Sequence, residues 1–284
     1  MSTCQGESEV ATLYHYCNAE AFRAIASSKK LWLSSMRMSN DSKEGSLVAE
    51  VLSQMAEEDN VSEEHMSEIK LALDEKAALV EGLGICLSSQ GDLLSQWRGY
   101  AADGAGFSIG FHSGGLKKAV NEAWDFHTRF VSLEKVAYMP KDHKKILRPL
   151  YEQLRQTLDH HGPAAGVDYL TDIKGLSTEG QTELRKHASK ALDAMFKLKN
   201  SAFREEREYR IVELVFLPED AFYRCSGNKI IPYTELDLSG DPSACIVDVR
   251  LGPKNPTPPK VVQDFLAFCG LAEVDVSISA ATYR

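Results

Sequence analysis

Apolar and polar positions alternate so as to divide the chain into strands at both ends with helical blocks between. Ala11-Thr12-Leu13-Tyr14-His15-Tyr16 is rich in β-favouring residues and predicts a short strand. Asn18 then offers a helix cap, and Ala21, Phe22, Ile25 and Ala26 follow at helical spacing. Leu31-Trp32-Leu33-Ser34 predicts a second strand. The polar loop Ser39-Asn40-Asp41-Ser42 opens a helical region running to about Val80, dense in Glu, Ala, Leu and Met. Gly84 to Ser88 is a compact apolar strand; after a loop carrying Trp97 and Tyr100, Gly106 to Phe111 alternates like another. A third lies around Phe130 to Tyr138. Helical periodicity covers Lys144 to about His160 and Glu179 to Lys199, broken at Gly162-Pro163. Strands return at Tyr209 to Phe216, weakly at Lys229 to Pro232, and at Ala244 to Leu251. A Pro-rich turn, a helix near Lys260 to Phe268 and a strand from Val274 to Ser279 close the chain.

Strict βαβ alternation is absent, so the pattern predicts an α+β fold with a mostly antiparallel sheet. It is read as one domain over residues 1–284, with helical segments at about 43–80 and 142–202 inserted in or packed on the sheet. No internal repeat or low-complexity linker divides it.

Composition narrows the function classes. A formal net charge of -9 gives no general attraction to polyphosphate, which argues against nonspecific duplex binding. The six cysteines are scattered without a C-x-x-C pair, a pattern that suits a reducing compartment. Cys86 and Cys245 sit in apolar runs and read as buried free thiols. No stretch approaches the ~20 apolar residues of a membrane span. The polar, acidic start from Met1 to Val10 does not read as a signal peptide, so the expected location is the cytoplasm.

Three constellations hold candidate chemistry. In Glu206-Arg207-Glu208-Tyr209-Arg210, a strand starting at Glu206 would place Glu206, Glu208 and Arg210 on the face of Val212 and Leu214. Two carboxylates about 7 Å apart on one strand require a cation or a ligand hydroxyl between them. The alternative is a frayed helix end with solvated ion pairs, and spacing alone favours that alternative. In Tyr14-His15-Tyr16, the imidazole can meet a ligand hydroxyl or be a satisfied structural histidine; the second is the commoner case. In Ser95-Gln96-Trp97-Arg98-Gly99-Tyr100, the aromatics suit either stacking on a planar ligand or plugging the core. Gly104 to Gly110 lacks phosphate-loop spacing and leads into a strand, and Asp103-Gly104 reads as a turn. His143, His160 and His161 lack carboxylates at ligand spacing, so no metal site is expected.

Taken in order, these pieces resemble the bacterial domain-of-unknown-function family 2971. The matching stretches are Leu13 to Tyr16, Lys30 to Ser35, Ser39-Asn40-Asp41 with Glu44, Ser95 to Tyr100, Gly106 to Phe111, Glu206 to Arg210, Leu251-Gly252-Pro253-Lys254 and Thr282-Tyr283-Arg284. The layout looks like the ADP-ribosyltransferase superfamily, which implies a split, mostly antiparallel sheet around NAD. The second motif departs from that superfamily's usual Ser-Thr-Ser or lone tyrosine.

The resemblance implies His15 and a second-strand residue such as Ser34 on NAD, with Glu208 as the catalytic carboxylate and Glu206 as its E-x-E partner. Tyr14, Asn40, Trp97, Tyr100 and Arg210 complete the expected NAD contacts: an aromatic stacks on a ring and Arg210 meets the pyrophosphate. The implied activity is NAD-consuming transfer of ADP-ribose, without a metal, to a protein or single-stranded nucleic-acid acceptor. A bacterial toxin or anti-phage defence effector fits that activity, with an antitoxin or defence-system partner and no membrane. The alternatives are an NAD glycohydrolase on the same site and a non-catalytic nucleotide-binding sensor. A metal-dependent nuclease is disfavoured, because the acidic segment lacks a lysine two residues after a glutamate.

Overall fold

A computed structural model describes residues 11–38, 46–125, 129–161, 179–180, 182–183, 186–187, 194–216, 219–238, 240 and 245–283. The chain order is β1 (Thr12–Cys17), α1 (Ala19–Ser28), β2 (Lys30–Ser35), α2 (Ser46–Glu58), α3 (Glu63–Leu79) and β3 (Glu81–Ser88). It continues with α4 (Leu94–Tyr100), β4 (Phe107–His112), α5 (Ser113–Ala123), β5 (Phe130–Lys135) and α6 (Pro140–His161). After a 3-10 turn at Ser201–Glu206 come β6 (Glu208–Val215), β7 (Phe222–Ser226), β8 (Lys229–Asp237), β9 (Ile246–Leu251), α7 (Pro259–Phe268) and β10 (Asp275–Ile278). The fold is α+β, as expected. The helical segments expected at 43–80 and 142–202 are described only within the limits above.

The ten strands form one sheet in the order β10-β9-β4-β1-β3-β2-β8-β7, with β6 on β3 and β5 on β6. Among the described strands only β10 and β9 run parallel. β3 is the hinge of the arrangement. Along one edge it pairs with β6 from Glu81↔Val215 to Ser88↔Glu208. Its other edge is shared: β2 takes Gly84 and Leu83, while β1 meets it at Tyr14↔Ser88. The sheet therefore opens between β1 and β2, and the backbone of Ile85 to Leu87 lies in the gap.

Two apolar clusters hold the fold. Leu13, Leu33, Ile85, Ile109, Ile211 and Val249 join the sheet to α1, α5 and α7. Leu52, Met55, Ile69, Leu147, Tyr151 and Leu154 hold α2, α3 and α6 together. Asn18 caps α1 as expected, its side chain accepting from the Ala21 N–H. Gly106, just before β4, has no room for a side chain: a Cβ there would lie 2.2 Å from the Cys17 carbonyl oxygen. No helix among the described residues is long and apolar enough to cross a membrane.

Four local expectations change. Residues 94–100 form a helix rather than a loop, because the Trp97 indole N–H donates to Asp92 and its ring packs into the core. α5 was hidden by the Ser113-Gly114-Gly115 start, although Leu116, Ala119 and Val120 are the periodic positions it buries. β7 is a short edge strand with mixed, largely exposed residues, so it shows no clean alternation. Finally, β6 begins at Glu208; Glu206 ends the 3-10 turn and Arg207, at φ 44°, bends the chain between them.

Candidate active site

A recess of about 40 Å³ lies where β1 leaves β3, and His15, Cys86, Gln96, Tyr100, Glu206 and Glu208 contribute to its wall. His15 Nδ1 lies 3.0 Å from the Cys86 carbonyl oxygen on β3. A carbonyl only accepts, so Nδ1 carries the hydrogen and the neutral ring offers Nε2 as an acceptor. Burial lowers the His15 pKa and outweighs the bond to Cys86, which keeps the ring neutral near pH 7.

The carboxylates of Glu206 and Glu208 are bridged by a lysine from outside the motif. Lys199 Nζ donates to Glu206 Oε2 at 2.7 Å and to Glu208 Oε2 at 2.8 Å. Arg210, fully buried, donates from Nε to Glu208 Oε1 at 2.7 Å and from Nη2 to Oε2 at 3.1 Å. Burial acts to raise the Glu208 pKa, but Arg210, Lys199 and the Cys86 thiol outweigh it and hold the carboxyl below the usual range. Glu206 goes the other way: burial raises it, and Lys199 offsets this only in part. Both oxygens of Glu208 are thus committed, while Glu206 Oε1 has no partner among the described residues.

Two tyrosines frame the pair. The Tyr138 hydroxyl accepts from the Glu208 N–H at 2.8 Å, and its pKa is pushed up to about 12, first by burial. Tyr100 is 42% exposed at the mouth, and burial together with Glu206 pushes it up to about 12 as well. α4, which carries Gln96 and Tyr100, is fastened from below. Asp92 accepts from Trp97 Nε1 at 2.7 Å, from the Ser279 hydroxyl at 2.5 Å and from the Ala280 N–H at 2.8 Å.

Of the residues singled out by sequence, His15, Tyr100, Glu206 and Glu208 meet in this recess. Trp97 does not: it is fully buried edge-on to Tyr16, with ring centroids 4.9 Å apart, so it supports the site and cannot stack on a ligand. Arg210 lies behind Glu208 with its other terminal nitrogen on the Phe196 carbonyl, so it is spent on protein groups and cannot reach a pyrophosphate. The Tyr14 ring packs under Arg250, whose Nη2 is 3.3 Å from the Tyr14 hydroxyl. Ser34 accepts from Arg224 on the far side of the β2 gap. Asn40 lies outside the described residues.

Lys199, Cys86 and Gln96 were missed. Lys199 had a partial signal, since paired glutamates on one strand call for a cation or a ligand hydroxyl between them. Cys86, read as a buried thiol, instead lines the recess; Cys245 is buried as expected.

Residues 96–211 match the family model described as Protein of unknown function (DUF2971). The matched stretch contains Gln96, Tyr100, Lys199, Glu206, Glu208 and Arg210, whereas His15 and Cys86 lie before it. No curated protein and no solved structure matches the chain.

Proposed function

We propose that this chain, whose residues 96–211 match the family of unknown function DUF2971, consumes NAD and transfers its ADP-ribose to a macromolecular acceptor. The supporting observation is the convergence of a neutral first-strand imidazole with a lysine-bridged glutamate pair in one recess. Breaking the nicotinamide–ribose bond develops positive charge on the sugar, as in glycoside hydrolysis. A fixed, preoriented carboxylate stabilises that charge most where water is excluded. Glu208, held by Arg210 and Lys199, supplies the fixed charge. Glu206, with its free oxygen, takes the ribose hydroxyl, and His15 Nε2 accepts from a second N–H or O–H group of the ligand. The recess admits only a small head, so the rest of the dinucleotide lies beyond its mouth, against the exposed ring of Tyr100.

The test is incubation of the purified protein with isotopically labelled NAD and cell extract, followed by mass spectrometry. Nicotinamide release with label on protein or RNA is expected, and Glu208→Gln lowers it by roughly 100-fold or more. Label recovered only as free ADP-ribose would make the activity a glycohydrolase. Unchanged turnover in both Glu206→Gln and Glu208→Gln would remove these residues from the chemistry. A toxin or defence role, the acceptor and any partner antitoxin extend the same proposal, and growth arrest on expression in a bacterial host that Glu208→Gln relieves would support it.

A further inference from the structure

Two acceptors in the recess are left available to a ligand. His15 Nε2 is an acceptor once Nδ1 serves Cys86, and Glu206 Oε1 is an acceptor with no partner among the described residues. The cations nearby are turned away from a ligand, since Arg210 is fully buried on Glu208 and Phe196, and Lys199 bridges the two glutamates. Gln96, 8% exposed, lines the same recess from α4. No group among the described residues hydrogen-bonds its carboxamide. The carboxamide is therefore open to a ligand that enters the recess. A carboxamide both donates and accepts, and its best complement is another carboxamide, paired head to head.

We infer that Gln96 is a specificity-determining residue that selects a ligand bearing a primary carboxamide and rejects the corresponding carboxylate. The ligand's amide oxygen accepts from the Gln96 NH2, and one amide N–H donates to the Gln96 carbonyl. The second amide N–H meets His15 Nε2. A carboxylate in that place still accepts from the Gln96 NH2, but it has no hydrogen for the Gln96 carbonyl or for His15 Nε2 and leaves both unsatisfied. Gln96 does not touch the reacting bond in this scheme. The inference rests on the NAD reading only for the identity of the head group, nicotinamide.

The experiment is a titration of the full chain with nicotinamide and, separately, with nicotinate, read by ligand-observed NMR and mutual competition. Nicotinamide is expected to bind roughly 10- to 100-fold more tightly than nicotinate. Gln96→Met, close in volume and without the amide, is expected to weaken nicotinamide to the level of nicotinate. Circular dichroism and the melting temperature report whether that variant folds; if it does not, Gln96→Glu, which keeps the shape and swaps the donor for an acceptor, gives the same comparison and is expected to lose nicotinamide. Equal affinity for the two ligands, no nicotinamide binding, or undiminished discrimination in a folded variant overturns the inference. NAD turnover is measured in parallel. Turnover with no preference for the amide defeats this inference alone, whereas preference without turnover defeats the proposed reaction and leaves the recognition intact.

Discussion

Lys199 Nζ lies 2.8 Å from Glu208 Oε2, and both side chains are almost completely withdrawn from water. The same ammonium lies 2.7 Å from Glu206, so one cation serves two carboxylates that would otherwise repel each other across a dry gap. Removing it leaves buried negative charge without compensation. Lys199→Met is expected to destabilise the protein by about 3–5 kcal/mol at pH 7. The loss should shrink as the pH is lowered and the glutamates take up protons, because Lys199 is among the groups that hold both carboxyls down. Urea unfolding at pH 7 and pH 5 checks this; equal losses at the two pH values would mean that Lys199 acts by packing alone.

His15 gives a separable pH signature. Its folded pKa lies below the ordinary 6.5 because burial disfavours the imidazolium. The unfolded chain therefore takes up this proton first. Stability from this group is fully present above pH 6.5 and is lost as the pH falls below it toward the lower folded value. Glu206, whose pKa is raised, runs oppositely and favours the folded state as the pH falls toward 4.5, so the comparison must be a difference. His15→Asn keeps a donor near the Nδ1 position for the Cys86 carbonyl and removes the titration. The gap between wild type and His15→Asn should be constant from pH 8 to pH 7 and narrow or reverse below 6.5, as read by denaturant unfolding across that range.

Asp92 is expected to control the site without touching it. It receives three hydrogen bonds, from Trp97, Ser279 and Ala280, and so ties α4 to the segment that follows β10. Asp92→Ala leaves a buried indole N–H without an acceptor and should cost about 1–3 kcal/mol. Because α4 carries Gln96 and Tyr100, hydrogen exchange at the α4 amides should accelerate more than exchange in β3 or β6. Uniform acceleration across the sheet would show that the contact stabilises the fold as a whole and positions nothing in particular.

Much of the fold was legible before any coordinates. The strands at β1, β2, β3, β4, β6 and β9 follow from β-branched and aromatic residues bounded by Gly, Asn and Pro. Asn18 announced its helix. The elements that were not legible are those whose local preferences are neutral. α4 exists because Trp97 finds Asp92 and Tyr16, residues that are distant or unremarkable in the sequence. β7 exists because β8 lends it a hydrogen-bonding edge. The site was half legible. Spacing alone favours a solvated helix end for Glu206 and Glu208, and the resemblance makes them site residues; they meet through a bent turn at Arg207 and through Lys199.

What the sequence determined by itself is which residues carry charge, which stretches bury themselves, and that a glutamate pair sharing one strand face needs a cation or a ligand hydroxyl between them. Those are local facts, set by side-chain chemistry and by the periods of helix and strand. Which cation, and which groups face a ligand, depended on the tertiary structure. Trp97 and Arg210 look available as a string of letters and are enclosed in the fold; Gln96 looks incidental and stands in the recess. The reason is the divided edge of β3. Where β1 and β2 part from it, the Cys86 carbonyl fixes the His15 tautomer, and Glu206 and Gln96 line the recess.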